Sequence, residues 1–274
     1  MTTDKTAARE LKRRVHHFAM LKQRRQKIVV VTAYDYPTAL AADEGGADAI
    51  LVGDSLGMVA LGFDSTIPVT VDMMVHHTAA VRRGARRAFI IADMPFMSYK
   101  VTAEQALQTA TRLVQDGGAE AVKLEGGDEV AGAVRRIVDA GIPVMGHVGL
   151  TPQSVHKLGG YRVQGRTEDV AERIRRDCVA LQDAGAFSVV LEAIDPDVAA
   201  EVSASLIVPT IGIGASRQCD GQVLVISDLA GLLPGKPAKF VKQYASLHGQ
   251  LVESVRAYSN EVRTGLFPDE RHEY

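Results

Sequence analysis

Gly118-Ala119-Glu120-Ala121-Val122-Lys123-Leu124-Glu125 is the stretch on which the reading of the fold turns. It follows a segment of helical period, residues 103–116, and glycine is the expected residue just past a helix end. A short apolar run then begins, and successive side chains of a strand point to opposite faces. Val122 and Leu124 therefore share one face, and Lys123 and Glu125 share the other. The apolar face is where helices pack, so the charged face belongs to an interior. The same pattern recurs at Gly46-Ala47 and Gly185-Ala186. Seven residues on from the three glycines stand Gly53, with Asp54 one further, Glu125 and Glu192. A helix end, a strand and an acidic residue thus form a weak internal repeat.

Working outward, eight apolar, β-branched runs lie at residues 28–32, 49–52, 88–92, 121–124, 142–145, 187–191, 209–213 and 223–226. Helical segments separate them at 37–43, 71–83, 103–116, 128–139, 168–183 and 196–205, and a final one spans about 238–263. The connection after the seventh run is short for a full helix. Near-continuous apolar strands alternating with helices specify a parallel sheet covered on both faces. Eight such units in 274 residues are the size of a (β/α)8 TIM barrel. The rival, a doubly wound open sheet, usually carries a glycine-rich first turn, whereas Thr32-Ala33-Tyr34-Asp35-Tyr36 has no glycine. With no Pro-, Ser- or Gly-rich linker, residues 1–274 read as a single α/β barrel domain with an N-terminal helix and a C-terminal helical extension.

Composition removes several classes of function. Lys+Arg 31 against Asp+Glu 33 leaves a net charge of −2, with no signature for nucleic acid. Two cysteines, Cys178 and Cys219, exclude a disulfide scaffold or an all-cysteine metal site and fit a reducing compartment. No apolar run reaches the ~18 residues of a membrane span, and the polar N-terminus lacks the apolar core of a signal peptide. A cytoplasmic protein is expected. Arg9, Lys12, Arg13, Arg14, Lys22, Arg24, Arg25 and Lys27 crowd the first turns. They admit a phosphate-binding arm, but the Leu11–Val15–Phe18 stripe favours a solvated amphipathic helix.

In a parallel barrel, reactive groups gather where strands end at their carboxyl side. Those ends read Gly53-Asp54-Ser55, Asp93-Met94-Pro95, Lys123-Leu124-Glu125, Gly146-His147 and Leu191-Glu192. An aspartate after a strand commonly caps the next helix, so Asp54 and Asp93 each carry that plainer reading. Lys123 and Glu125 inside a barrel are costly unless paired with each other or functional. Glu192 ends an apolar strand, and partial desolvation there raises a carboxyl toward a general-base value. Several carboxylates with little histidine suit a hard divalent ion, Mg2+ first. Zinc would want more His or Cys, or an HExxH spacing, which is absent. The adjacent pairs His16-His17 and His76-His77 splay apart on a helix and read as structural. Gly212-x-Gly214 reads as a tight turn or ligand contact, since it lacks the third glycine of a dinucleotide fingerprint. A Mg2+ ion, a lysine and a base suit chelation of an α-keto acid and removal of the proton on its neighbouring carbon, hence carbon–carbon bond chemistry.

The motifs themselves resemble a known family. Thr32–Tyr36, Gly53-Asp54-Ser55-Leu56-Gly57-Met58-Val59, Asp93-Met94-Pro95-Phe96, Val122-Lys123-Leu124-Glu125-Gly126-Gly127, Gly146-His147-Val148-Gly149-Leu150-Thr151-Pro152-Gln153 and Gly212-Ile213-Gly214-Ala215 are similar, in order, to ketopantoate hydroxymethyltransferases. Val148 stands where that family frequently has isoleucine. The resemblance implies a barrel of the phosphoenolpyruvate mutase and isocitrate lyase kind. It implies transfer of a hydroxymethyl group from 5,10-methylenetetrahydrofolate to 3-methyl-2-oxobutanoate, giving 2-dehydropantoate on the way to pantothenate and coenzyme A. By the same resemblance, Asp54 and Asp93 are Mg2+ ligands with Glu125 close by through water. Ser55 and Lys123 contact the keto acid, His147 lines the pocket and Glu192 is the base. Homo-oligomeric rings, commonly decamers, are implied too. Two other readings remain at this stage: a Mg2+-dependent lyase of the same superfamily, whose loop cysteine neither Cys178 nor Cys219 supplies, and a ring-forming scaffold without catalysis.

Overall fold

The computed structural model describes residues 11–160 and 162–274, so Arg9 of the basic cluster lies outside the described residues. Eight strands form a closed, all-parallel barrel in sequence order. They are β1 (Ile28–Thr32), β2 (Ala49–Val52), β3 (Phe89–Asp93), β4 (Ala121–Glu125), β5 (Val144–Gly149), β6 (Ser188–Glu192), β7 (Thr210–Ile213) and β8 (Gly221–Leu224). The seam closes with Ile28 beside Gly221 and Val30 beside Val223. The main connecting helices are α2 (Tyr36–Glu44), α4 (Val71–Gly84), α5 (Ala103–Gln115), α6 (Ala131–Asp139), α8 (Glu168–Asp183) and α9 (Pro196–Ser205). Single turns α3 (Leu56–Val59) and α7 (Val155–Leu158) ride on the loops after β2 and β5. No helix separates β7 from β8.

The repeated Gly-Ala corner has one cause. Gly46, Gly118 and Gly185 have φ of +86°, +76° and +95°, left-handed backbone in which a Cβ is strained. Each reverses the chain from helix into strand. At the other ends of α4 and α5, Thr70 and Thr102 accept hydrogen bonds from the Met73 and Gln105 N–H groups.

A second repeat runs around the amino end of the barrel. Asp48, Glu120 and Asp220 each immediately precede a strand, and each accepts an N–H from a neighbouring strand: Val29 at 2.9 Å, Ile90 at 3.0 Å and Thr210 at 2.8 Å. The N-terminal basic residues then neutralise them, through Arg13–Asp48 at 2.9 Å, Lys12–Glu120 at 2.7 Å and Lys22–Asp220 at 2.8 Å. Helix α1 (Val15–Gln23) buries Phe18 and Leu21 in the barrel core. Phe18 meets Phe89 and Phe187 edge to face, at 5.6 and 5.1 Å between ring centres. The Val15 and Phe18 positions of the expected apolar stripe thus form the packed face of an amphipathic helix, which seats in the barrel end. Leu11 precedes the helix and is 83% exposed, so Phe18 and Leu21, not Leu11, anchor it. Above this plug lies an apolar layer of Val30, Leu51, Ile91, Met145, Val190, Ile211 and Val223.

Strand β8 begins two residues before the apolar run expected at 223–226. A Cβ on Gly221 would lie 2.5 Å from the Ile28 carbonyl oxygen, so this strand must open on glycine to close the barrel. Strand β5 extends to Gly149, and α6 starts at Ala131 after a 3-10 turn at Asp128–Val130.

The barrel unit runs to Leu224, and Val225–Tyr274 form a second compact unit. The latter holds the turn α10 (Ile226–Leu229) and the long helix α11 (Leu247–Thr264). Helix was expected from 238. Instead the Tyr244, Leu247 and His248 N–H groups donate to the Leu229, Ala230 and Gly231 carbonyls, which removes them from an intrahelical ladder. No helix among the described residues is long and apolar enough to cross a membrane.

Candidate active site

Strands β2 to β6 deliver their terminal side chains to one place. Asp93 stands beside Lys123 in the parallel register, and Glu125 beside His147. Asp54, Asp93, Lys123, Glu125 and His147 are all buried, none above 4% exposed. Neither aspartate caps a helix. The Asp93 carboxylate accepts the Asp54 N–H at 3.0 Å through Oδ2 and pairs with Lys123 Nζ at 2.9 Å through Oδ1. Asp54 Oδ2 accepts from the Gln153 side-chain amide at 2.8 Å. Gly53 permits this turn, because a Cβ there would sit 2.7 Å from Ser55 Oγ.

Lys123 also donates to His147 Nδ1, at 3.2 Å. An ammonium can only donate, so Nδ1 accepts and the imidazole carries its proton on Nε2. Burial, together with the Lys123 charge, holds the His147 pKa well below its usual value, so the ring is neutral. Nε2 points at Glu192, 3.2 Å from Oε2, without the alignment of a hydrogen bond. The Glu192 side chain is 17% exposed and thus open to an incoming molecule. Its carboxyl is pushed up to about 7, chiefly by burial, against the opposing pull of Lys123. Ala193, the next residue, has φ +47°, strained for alanine and held by its N–H to the Ile213 carbonyl.

Three partners in this network carried no role in the sequence reading. Tyr34 Oη shares hydrogen bonds of 2.8 Å with Ser55 Oγ and with Thr32 Oγ1, which fixes the serine hydroxyl. Tyr99 is buried at 1% exposure and donates to Gln153 Oε1 at 2.7 Å. The Gln153 main-chain N–H in turn donates to Glu125 Oε2 at 3.0 Å. Gln153 lay in a quoted motif, but a loop residue shows no periodicity that would announce its direction. The remaining candidates stand apart. His17 Nδ1 accepts the Arg14 N–H, and His77 Nδ1 lies 2.6 Å from the Tyr34 carbonyl. Gly212 is a packing glycine whose Cβ would press on Cys219 Sγ at 3.0 Å.

Four carboxyl groups, Asp54, Asp93, Glu125 and Glu192, face a single ammonium and a neutral imidazole. Burial and the Asp93 and Glu125 charges raise the Asp54 pKa well above its usual range. Burial likewise raises Glu125, although Lys123 opposes it. Asp93 Oδ1 accepts no aligned hydrogen bond despite its ion pair. A hard divalent cation fits this oxygen-rich, under-compensated set. Among the described residues no three His, Cys, Asp or Glu side chains form a ready-made metal cage.

Solved structures place the fold first. The chain superposes on a putative phosphonomutase from Burkholderia cenocepacia with a TM-score of 0.62 at 14% identity, over 90% of this chain and 99% of that one. It superposes on 2,3-dimethylmalate lyase, a PEP mutase/isocitrate lyase superfamily member, with a TM-score of 0.58 at 16% identity, over 95% and 91%. Phosphonopyruvate hydrolase in complex with oxalate and Mg2+ gives 0.61 at 12%, over 94% and 92%. The chain thus shares the barrel fold of these structures. The family model for ketopantoate hydroxymethyltransferase matches residues 12–270. A 3-methyl-2-oxobutanoate hydroxymethyltransferase from Thermoanaerobacter pseudethanolicus is 55% identical over 253 residues, 92% of each chain. One from Moorella thermoacetica is 56% identical over 254 residues, 93% of this chain and 94% of that one. The chain belongs to the ketopantoate hydroxymethyltransferase family and is a transferase.

Proposed function

We propose that this chain transfers a hydroxymethyl group from 5,10-methylenetetrahydrofolate to 3-methyl-2-oxobutanoate, giving 2-dehydropantoate, with Mg2+ as its resident ion. The observation that carries the reading is Glu192, raised to about 7 and partly open, in one cluster with Lys123 and the Asp54–Asp93 pair. Identity of 55% to named hydroxymethyltransferases favours this reaction over a lyase or a scaffold.

Asp54 and Asp93 would hold the ion, and Glu125 would reach it through water. When bound, the ion supplies Lewis-acid polarisation of the 2-oxo group, which acidifies C3. Lys123 keeps a fixed positive charge beside the keto acid, because Asp93 and His147 hold its ammonium from two sides. The Ser55 hydroxyl, set by Tyr34, donates to a substrate oxygen. His147 walls the pocket and directs its Nε2–H toward Glu192. Glu192 takes the proton from C3 and leaves the electron pair delocalised into the 2-oxo group. That carbon bonds to the folate's methylene carbon as both C–N bonds of the methylene bridge break; water supplies the hydroxyl, and its second proton and the proton held by Glu192 pass to the two nitrogens of the departing tetrahydrofolate. The reading includes a cytoplasmic homo-oligomer, a decamer by family resemblance.

Proton NMR of 3-methyl-2-oxobutanoate in D2O, with the protein and Mg2+, tests the reading. The C3 proton signal is expected to fade, and 2-dehydropantoate to grow once methylenetetrahydrofolate is added. No exchange and no product from folded protein would overturn it.

A further inference from the structure

We propose that Gln153 is a positioning residue that sets the distance between two acidic groups from different strands, and that the Tyr99 hydroxyl sets Gln153. The inference rests on the metal reading above for its consequence, but on geometry for its content. Gln153 lies on the loop after β5, outside every strand, and is 3% exposed. Its side chain and its main chain do different work. The Nε2 amide donates to Asp54 Oδ2 at 2.8 Å and to the Met94 carbonyl at 2.9 Å. The main-chain N–H donates to Glu125 Oε2 at 3.0 Å. One residue therefore grips a carboxylate that follows β2 and another that ends β4.

A carboxamide has two orientations, and only one of them serves. With Nε2 toward Asp54, both acceptors are met. Flipped, the amide would set its own oxygen against a carboxylate and a carbonyl, a contact without any donor. Tyr99 is matched to the same orientation, since its hydroxyl can donate to the Gln153 side-chain carbonyl oxygen. Its hydroxyl accepts the Glu125 N–H at 3.1 Å and has a proton to give to Gln153 Oε1 at 2.7 Å. The same hydroxyl lies 2.9 Å from the Glu125 carbonyl oxygen. The order runs from the Glu125 backbone through Tyr99 to Gln153 and on to Asp54. The loop after β3, which carries Tyr99, and the loop after β5 thus fix the spacing of a cluster whose members come from other strands. With one Asp54 oxygen held by the amide, the carboxylate plane is fixed and the other oxygen is presented to the cation.

The test reads ion binding directly. Isothermal calorimetry of Mg2+, and Mn2+ titration followed by electron paramagnetic resonance, are run on the full chain and on Tyr99→Phe, Gln153→Leu and the double variant. Gln153→Leu is expected to weaken ion binding by about ten- to a hundredfold, the usual loss when a ligand's supporting partner is removed. Tyr99→Phe, which keeps the buried ring, is expected to weaken it severalfold. The double variant is expected to bind no worse than Gln153→Leu, because Tyr99 acts through the amide. Saturating Mg2+ is expected to restore kcat in Tyr99→Phe, which a merely loosened fold would not allow. Binding present in the wild-type chain and unchanged in both single variants overturns this inference alone. Losses that simply add in the double variant overturn the relay from Tyr99. Absence of ion binding from the wild-type chain overturns the metal reading and this inference with it.

Discussion

Glu192 is where acid–base behaviour and stability meet. Its folded pKa of about 7 stands above the ordinary value of 4.5 because burial disfavours the charge. Proton removal needs the ionised form, so C3 exchange should rise tenfold per pH unit below about 7 and level off above it. Glu192→Gln should keep keto-acid binding and abolish exchange, read by the same NMR signal. The stability consequence has the opposite sign. Between pH 4.5 and about 7 the folded chain holds a proton that the unfolded chain has released. The contribution is therefore full below 4.5 and is lost as pH rises to about 7. Glu192→Gln removes that loss, and in ion-free buffer at pH 8 it should gain up to ~3 kcal/mol over the wild type. Near pH 4.5 the two proteins should melt alike, and equal melting at pH 8 would count against a desolvated Glu192. Asp93→Ala should lose Mg2+-dependent binding of 3-methyl-2-oxobutanoate, and full affinity by calorimetry would remove Asp93 from the ligand set.

Among the elements, α1 behaves as a plug and not as a surface helix. Phe18 contacts two other aromatic rings within the barrel's amino end. Phe18→Ala should cost about 3–5 kcal/mol in denaturant unfolding, in the range of large aromatic truncations. A cost under ~1 kcal/mol would return α1 to the surface. The elements also show which parts of the fold were legible from sequence. Strands β1 and β2 read directly because apolar, β-branched runs mark them, and β2 is buried along its whole length. Alternation in β4 by itself puts Lys123 and Glu125 on the interior face, where both are buried. Strand β8 did not read correctly, since its first residue must be the glycine that an apolar pattern passes over. The segment before α11 did not either, because the Tyr244 N–H goes to the Leu229 carbonyl of α10, a contact that no local pattern encodes. Tyr99 and Gln153 showed no role in the sequence for a related reason: loop side chains are aimed by tertiary contacts and have no period.

At the scale of the whole molecule, the described chain is unevenly finished. Helix α11 buries none of its residues, yet Leu251, Val255, Tyr258 and Val262 recur at helical spacing and are 46–62% exposed. An apolar stripe of that length usually marks an association surface. The proposed ring assembly gives it a use. Val255→Asp with Tyr258→Asp should shift the sedimenting species to lower mass while the far-ultraviolet circular dichroism stays unchanged. An unaltered mass would place the subunit contact elsewhere.

The lashings at the amino end carry a consequence for how the protein is made. Lys22 leaves the ribosome 198 residues before its partner Asp220. Phe18 likewise waits for Phe187 to complete its aromatic seat. Helix α1 therefore cannot complete its docking until nearly the whole barrel exists. Through that interval the floor of the barrel stays open and greasy, and the nascent chain carries its own stopper unseated. Translation speed and early chaperone contact thus bear on the yield of this fold more heavily than its final stability would suggest.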